Sequence, residues 1–320
     1  NEVSATHPLI QTVEEIQKTG TTVNNIVLRP LKLTHVHQII NDTLKETDQV
    51  KTQELASLLF NKTAGNPFFL TQILKTLERE KLLTFDFVKG GWEWDIKKIQ
   101  ALGVTDLSVV ELVARNICQL PQGTQDILKL GACIGDRFKL DVLATTSEKS
   151  VAEVASDLWW ALQQGLILPL SKDYKIPLLF GSEELQRFSF DDSRLEYRFL
   201  HDRVQQAAYS LIEEDQKKAT HLKIGQLLLQ NAPPEQLESN IFDIVNQLNV
   251  GIDTIIQQSD KDELARLNLI ASRKAKVANA YEPAIKYLNA GIDLLSADSW
   301  QTNYELTLAI YEEATEICYL

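Results

Sequence analysis

The sequence predicts a mainly α-helical chain with short β elements set between the helices. Apolar residues recur at three- and four-residue intervals along most of its 320 residues, the spacing of one buried helix face. Two stretches, at 83–95 and 166–200, alternate instead and read as strands and hairpins. Beyond His201 the helical spacing continues to the end, with small residues where helices must approach closely.

In chain order, "PLIQTVEEIQKT" at 8–19 has proline at a helix-start position and Leu9, Ile10, Val13 and Ile16 on one face, which predicts an amphipathic helix. Val23, Ile26, Val27 and Leu28 then read as a short buried strand stopped by Pro30. A helix followed by a strand suggests the last unit of an α/β sheet. Thr34 is the expected cap of a helix through Leu44, and a second helix runs from about Gln49 to Thr63, with Gly65 as its left-handed terminator. Asn66 and Pro67 suit the cap and first turn of the next helix, whose Phe68, Phe69, Ile73 and Leu74 form an apolar face.

"LTFDFVKGGWEWD" pivots on Gly90-Gly91, a hairpin signal. Helices follow at 106–118, 122–134 and 139–146, and "SVAEVASDLWWALQQG" makes another that ends at Gly165. "LILPL" reads as a strand, and "LQRFSF" and "EYRFL" flank the turn "DDSR" as a β-wing, so 106–200 is expected to form a winged-helix unit. Residues 262–280 and 281–296 form a helix pair with Ala271, Ala275, Ala278, Ala284, Ala290 and Gly291 at the approach, and a further helix begins near Asn303. Helical repeats of roughly 34 to 47 residues bury their faces only against neighbours. Leu306, Ile310 and Ile317 are therefore expected to lack a covering repeat.

Composition narrows the function. A net charge of −12 and a pI near 5.0 disfavour a general binder of nucleic-acid backbones, which needs clustered cations to release counterions. No run approaches the apolar length of a membrane helix and no secretory signal opens the chain, so a cytoplasmic setting is expected. Cys118, Cys133 and Cys318 are odd in number and far apart, which disfavours a disulfide framework or zinc site and suggests small core residues. The absence of methionine and the start at Asn1 suggest a segment of something larger.

None of the thirteen glycines is followed by lysine, so the chain holds no P-loop, and it has no nucleophile elbow or His-Glu-x-x-His helix. No catalytic residue and no metal ligand is assigned. His7, His35 and His37 lack partners at ligand spacing, and Trp92, Trp94, Trp159 and Trp160 suit packing better than a ligand box. "TAGNPFFLTQIL" is either a rigid capped corner or the rim of a site. His201, at the start of a helix, either orders that start or meets an anion there.

The segments "NEVSATHPL", "IVLRPL" at 26–31, "AGNPFFLTQIL" at 64–74, "GWEWD" at 91–95, "LPQGTQDILKLGACIGDRF" at 120–138 and "YRFLHDRVQQAAYSLI" at 197–212 supply the context for the corner. Their order resembles the STAND-class, AAA-type predicted ATPase module of large bacterial serine/threonine kinases and hybrid sensor histidine kinases, here without its P-loop. The resemblance covers nearly the whole chain.

It implies this fold class: mainly α, with the tail of an α/β NTPase domain (1–33), a helical lid with the Gly-Asn-Pro motif (34–83), a β-hairpin connector (84–105), a winged helix (106–200), connecting helices (201–261) and the start of TPR-like helical repeats (262–320). It also implies ATP or ADP as cofactor, with Mg supplied through an upstream domain. Gly65, Asn66 and Pro67 would line the base side of the nucleotide and His201 its phosphate end. A protein partner is expected on the repeats, and the larger protein would be an ATPase and protein kinase. Two other readings stand beside it. A DNA-binding winged helix is disfavoured because 150–164 carries Glu153 and Asp157 and no lysine or arginine. A pure repeat scaffold leaves the first 200 residues unexplained.

Overall fold

Asp48 and Asn66 set the helix starts of the N-terminal part. The computed structural model describes every residue except 1–11, 14, 15, 25, 46, 47, 102–106, 180–194 and 320, together with all side chains of the described residues but those of 234, 236 and 318. The chain separates into two units, 1–106 and 107–320.

In the first unit, residues 12, 13 and 16–18 are helical, and the rest of the helix expected from 8 lies outside the described residues. Among the described residues of 23–28 the expected strand does not form. Ile26, Val27 and Leu28 are 82%, 70% and 90% exposed in irregular backbone. A β-branched run becomes a buried strand only beside a paired neighbour, and among the described residues of this unit the sheet holds only the later hairpin.

Helix α1 (Leu33–Leu44) begins two residues earlier than a Thr34 cap would set it, because the chain stays extended up to Lys32, whose N–H donates to His35 Nδ1 at 3.4 Å. Thr34 therefore lies inside the first turn. Helix α2 (Gln49–Thr63) is capped by Asp48, whose carboxylate accepts from Val50 and Lys51 N–H. Helix α3 (Pro67–Arg79) follows, and Ile40, Leu55, Leu59, Leu70, Ile73 and Leu77 close the core between the three. Strands β1 (Leu83–Asp86) and β2 (Gly91–Trp94) pair antiparallel, Phe85 facing Trp92 edge-on with 5.6 Å between ring centroids. Asp86 Oδ1 takes the N–H groups of Val88 and Lys89 to make the turn. Buried Trp94 lies under the Lys51 ammonium at 4.3 Å. Helix α4 (Ile96–Ala101) completes this unit's described part.

The second unit opens with α5 (Val109–Ile117), started by a reciprocal Ser108–Glu111 capping box. Then come α6 (Gln122–Ile134), β3 (Arg137–Lys139), α7 (Leu140–Ser147), α8 (Val151–Gln163), β4 (Ile167–Pro169), α9 (Ile176–Leu179) and β5 (Glu196–Phe199). The three strands order β3-β5-β4, all antiparallel, with Phe138 opposite Tyr197 and Ile167 opposite Phe199. β3 is absent from the sequence-based expectation. "LQRFSF" and "DDSR" lie outside the described residues, and "EYRFL" pairs with β4 and β3 on its two sides. Cys118 is exposed rather than a core residue, whereas Cys133 is buried and its thiol is pushed up to about 12 by that burial.

Helices α10 (Asp202–Ser210), α11 (Glu214–Asn231), α12 (Pro234–Val250), α13 (Gln258–Val277), α14 (Tyr281–Leu294), α15 (Ser299–Thr302) and α16 (Tyr304–Tyr319) complete the chain. α11 and α12 pack as an antiparallel pair, as do α13 and α14, and α16 lies on the second pair. Small residues permit the approach: a Cβ on Gly225 would stand 3.0 Å from the Leu248 backbone nitrogen and 2.6 Å from its side chain. Buried Asn268 and its neighbour Asn249 exchange two amide hydrogen bonds, 2.9 and 3.0 Å, tying α12 to α13. Ala271, Ala275, Ala284 and Gly291 are buried as their size requires, while Ala278 is exposed at the end of α13. Leu306, Ile310 and Ile317 do not stand uncovered. They close the core of the pair beneath them, because the helical turn carries all three to the inner side of α16.

Candidate functional site

The corner at 63–69 is built from backbone. Ala64 and Gly65 both take left-handed conformations, φ 47° and 75°, so two residues rather than one end α2. Gly65 N–H donates to Thr63 Oγ1 at 3.3 Å, Asn66 N–H to the Thr63 carbonyl at 2.9 Å, and Asn66 Oδ1 accepts from Phe69 N–H at 3.0 Å. Leu31 N–H donates to the Gly65 carbonyl at 2.8 Å. A Cβ on Gly65 would fall 2.0 Å from the Leu31 carbonyl oxygen. The glycine is required by this close approach as well as by its positive φ.

Two of the quoted segments, "IVLRPL" and "AGNPFF", thus meet at Leu31 and Gly65. Gly65 is sealed, whereas Asn66 and Pro67 are exposed at the start of α3. Asn66 spends its side-chain oxygen on the cap, so its amide nitrogen and the Pro67 ring are what this corner presents outward.

His201 belongs to the second unit. β5 delivers it: Phe199 N–H bonds to the Asp136 carbonyl and Leu200 N–H to the Leu166 carbonyl, both at 2.9 Å. His201 is the N-cap of α10, its Nδ1 accepting the Arg203 N–H at 3.1 Å. A neutral imidazole that accepts at Nδ1 carries its proton on Nε2. Protonating Nδ1 would remove the cap. Arg203 turns its guanidinium to Gln206 Oε1 at 2.8 Å, on the surface.

The acidic residues of α8 have local partners. Glu153 closes a capping box with Ser150, whose hydrogen bonds hold its carboxyl below the usual range. Asp157 meets Lys149 at 2.7 Å. His37 Nε2 lies 3.1 Å from Thr52 Oγ1, and His7 lies outside the described residues. Trp160 is 48% exposed beside half-buried Trp159, so the two do not share a ligand box.

The sequence reading missed a buried polar chain in the second unit: Tyr209, His221 and Gln247, ending on the Cys133 carbonyl. His221 and Gln247 are each 6% exposed. A histidine on the inner side of a predicted helix was the available signal.

No family model matches the chain. It is 31% identical over 330 aligned residues, 91% of its length, to "Hybrid signal transduction histidine kinase G" of Dictyostelium discoideum. It is 20% identical over 277 residues, 85% of its length, to "Peroxide stress-activated histidine kinase mak3" of Schizosaccharomyces pombe (strain 972 / ATCC 24843). The chain spans about a tenth of the length of these relatives, 10% and 11%. Among solved structures, a Signal Transduction ATPase with Numerous Domains protein with a tetratricopeptide repeat sensor from Pyrococcus horikoshii aligns over 93% of this chain and 46% of its own, at 12% identity and a TM-score of 0.37. Among the described residues no helix is long and apolar enough to cross a membrane.

Proposed function

We propose that the chain is a regulatory part of a nucleotide-dependent signal-transduction switch within a larger kinase, coupling ATP or ADP state to a protein bound on the helical repeats. The observation that carries this is the 31% identity to a hybrid signal transduction histidine kinase along 91% of the chain, a span that includes both units. The corner supports it. Asn66 and Pro67 are exposed on a backbone fixed by the Gly65–Leu31 contact, where a purine could pack. The chain has no Gly-Lys pair to cradle phosphates, so that cradle is proposed to come from another part of the larger protein.

In this proposal Asn66 and Pro67 bound the base, with Asn66 Nδ2 the polar group available to its edge; His201, in the other unit, is proposed in its own right as a phosphate contact, Nε2–H donating while Nδ1 keeps the cap. A bound adenine nucleotide supplies a change of charge between its triphosphate and diphosphate forms. The chain responds only as far as its two states differ in affinity for those forms. The exposed aromatic side chains Trp300, Tyr304 and Tyr311 give the repeats a surface that suits a protein partner.

The test separates capping from ligand contact. Asparagine caps helices well, so His201→Asn keeps the start of α10 and removes the Nε2–H donor. ADP retained by the full-length gene product is measured after gel filtration. Reduced retention in a folded His201→Asn variant is expected, and retention equal to wild type removes His201 from the mechanism.

A further inference from the structure

The last turn of α6 holds carbonyls that its own helix cannot satisfy, and two glutamines from other helices reach them. Gln205 Nε2, on α10, donates to the Ala132 carbonyl at 3.2 Å. Gln247 Nε2, on α12, donates to the Cys133 carbonyl at 2.9 Å. The next carbonyl back, that of Gly131, accepts from Gly135 N–H at 3.0 Å. Adjacent carbonyls of one helix end therefore form a two-point socket, one point filled by the helix that His201 caps and the other by α12 of the α11–α12 pair.

The socket also fixes the direction of the buried chain beyond it. Because Gln247 donates to a carbonyl, its Oε1 is the acceptor for His221 Nδ1–H at 2.7 Å. In neutral His221 the other nitrogen, Nε2, then accepts the Tyr209 hydroxyl at 3.1 Å. Tyr209 lies on α10, so that helix is also bound to the α11–α12 pair through His221 and Gln247. Cys133, Ile212 and Ile224 form an apolar cluster that Tyr209 and Leu228 pack against, and His221 and Gln247 are buried, so a polar group left there without its partner is costly.

We propose that this socket and its Tyr209–His221–Gln247 chain set the position of α10, so that a shift of α11 and α12 is transmitted along α10 to the His201 cap. The proposal draws on the nucleotide reading only for what His201 does there. Helix α10 is short and its two ends are rigidly connected, with Val204, Ala207 and Ala208 buried between them. The α11–α12 pair thereby has a grip on the helix that the candidate switch histidine caps.

The experiment is hydrogen exchange by mass spectrometry on the full chain, without nucleotide, reading the peptide 199–211. Gln247→Leu keeps an aliphatic side chain, one atom shorter, and removes both hydrogen bonds. Leu288→Ala, in the repeat core but outside the chain, is the control. Exchange in 199–211 is expected to rise about tenfold in Gln247→Leu, the worth of one or two buried hydrogen bonds, and to stay at the wild-type rate in Leu288→Ala.

Tyr209→Phe removes only a hydroxyl and serves if Gln247→Leu does not fold. It is expected to raise exchange in the same peptide, and, combined with Gln247→Leu, to add nothing further, since both cut one chain. An unchanged 199–211 peptide in either relay variant, or an equal rise in Leu288→Ala, overturns the proposal. Because nucleotide is absent from the measurement, a negative ADP-retention result leaves this outcome independent.

Discussion

Replacing Gly65 by alanine separates the two reasons for a glycine at the corner. Gly90 also has a positive φ, 68°, but a Cβ there would meet nothing within 4 Å, so Gly90→Ala reports backbone strain alone, about 1 kcal/mol. At Gly65, φ 75°, the new Cβ would lie 2.0 Å from the Leu31 carbonyl oxygen and 3.0 Å from its carbon and nitrogen. Those atoms are backbone and cannot rotate away. Displacing them adds an overpacking cost of about 1–3 kcal/mol, and loss of the Leu31 N–H to Gly65 carbonyl bond adds about 1 kcal/mol.

Gly65→Ala should therefore be about 2–4 kcal/mol worse than Gly90→Ala. The assay is urea unfolding followed by Trp92 and Trp94 fluorescence, with Trp159, Trp160 and Trp300 changed to phenylalanine to silence the second unit. With a urea dependence of about 1–3 kcal/mol per molar, the two midpoints should differ by roughly 1 M or more. Coincident midpoints would refute the claim that Leu31 and Gly65 form one rigid corner.

In a Cys318→Ser background, iodoacetamide at pH 8 should label exposed Cys118 in the folded chain and leave Cys133 unlabelled until urea is added, since burial raises its thiol to about 12. Burial alone would raise the Glu313 carboxyl, but hydrogen bonds from Lys276 and from Arg273, the latter at 3.0 Å, outweigh it and hold the group below its ordinary 4.5. A depressed carboxylate adds stability above its unfolded value and loses it as pH falls through the folded one. Glu313→Gln should therefore lower the stability of the repeats by about 1–2 kcal/mol near neutral pH, and the gap in thermal midpoint should close as pH drops below 4.5.

The helices were legible because their punctuation is local. Asn66 with Pro67, and Gly165, act on the residues beside them, and the structure places helix ends there, whereas Thr34 proved not to be the cap of its helix. The hairpin at Gly90 was legible for the same reason. What failed depended on distant partners. Ile26, Val27 and Leu28 have the composition of a strand, but a strand exists only with a neighbour to pair with.

β3 is three residues long, too short to show alternation, and forms because β5 arrives from far along the chain. Leu306, Ile310 and Ile317 were apolar at the right spacing, yet spacing does not say which side is already covered. Of the candidate site, the caps at Asn66 and His201 were readable, while the Leu31 contact and the Tyr209–His221–Gln247 chain join residues that no sequence window spans.

The most direct test of the nucleotide account is photolabelling of the full-length protein with 8-azido-adenosine diphosphate, followed by peptide mapping. The account predicts label on the peptide that contains Asn66, Pro67 and Phe68, competed away by unmodified ADP. Competable label found only elsewhere, with that peptide unmodified, would contradict it.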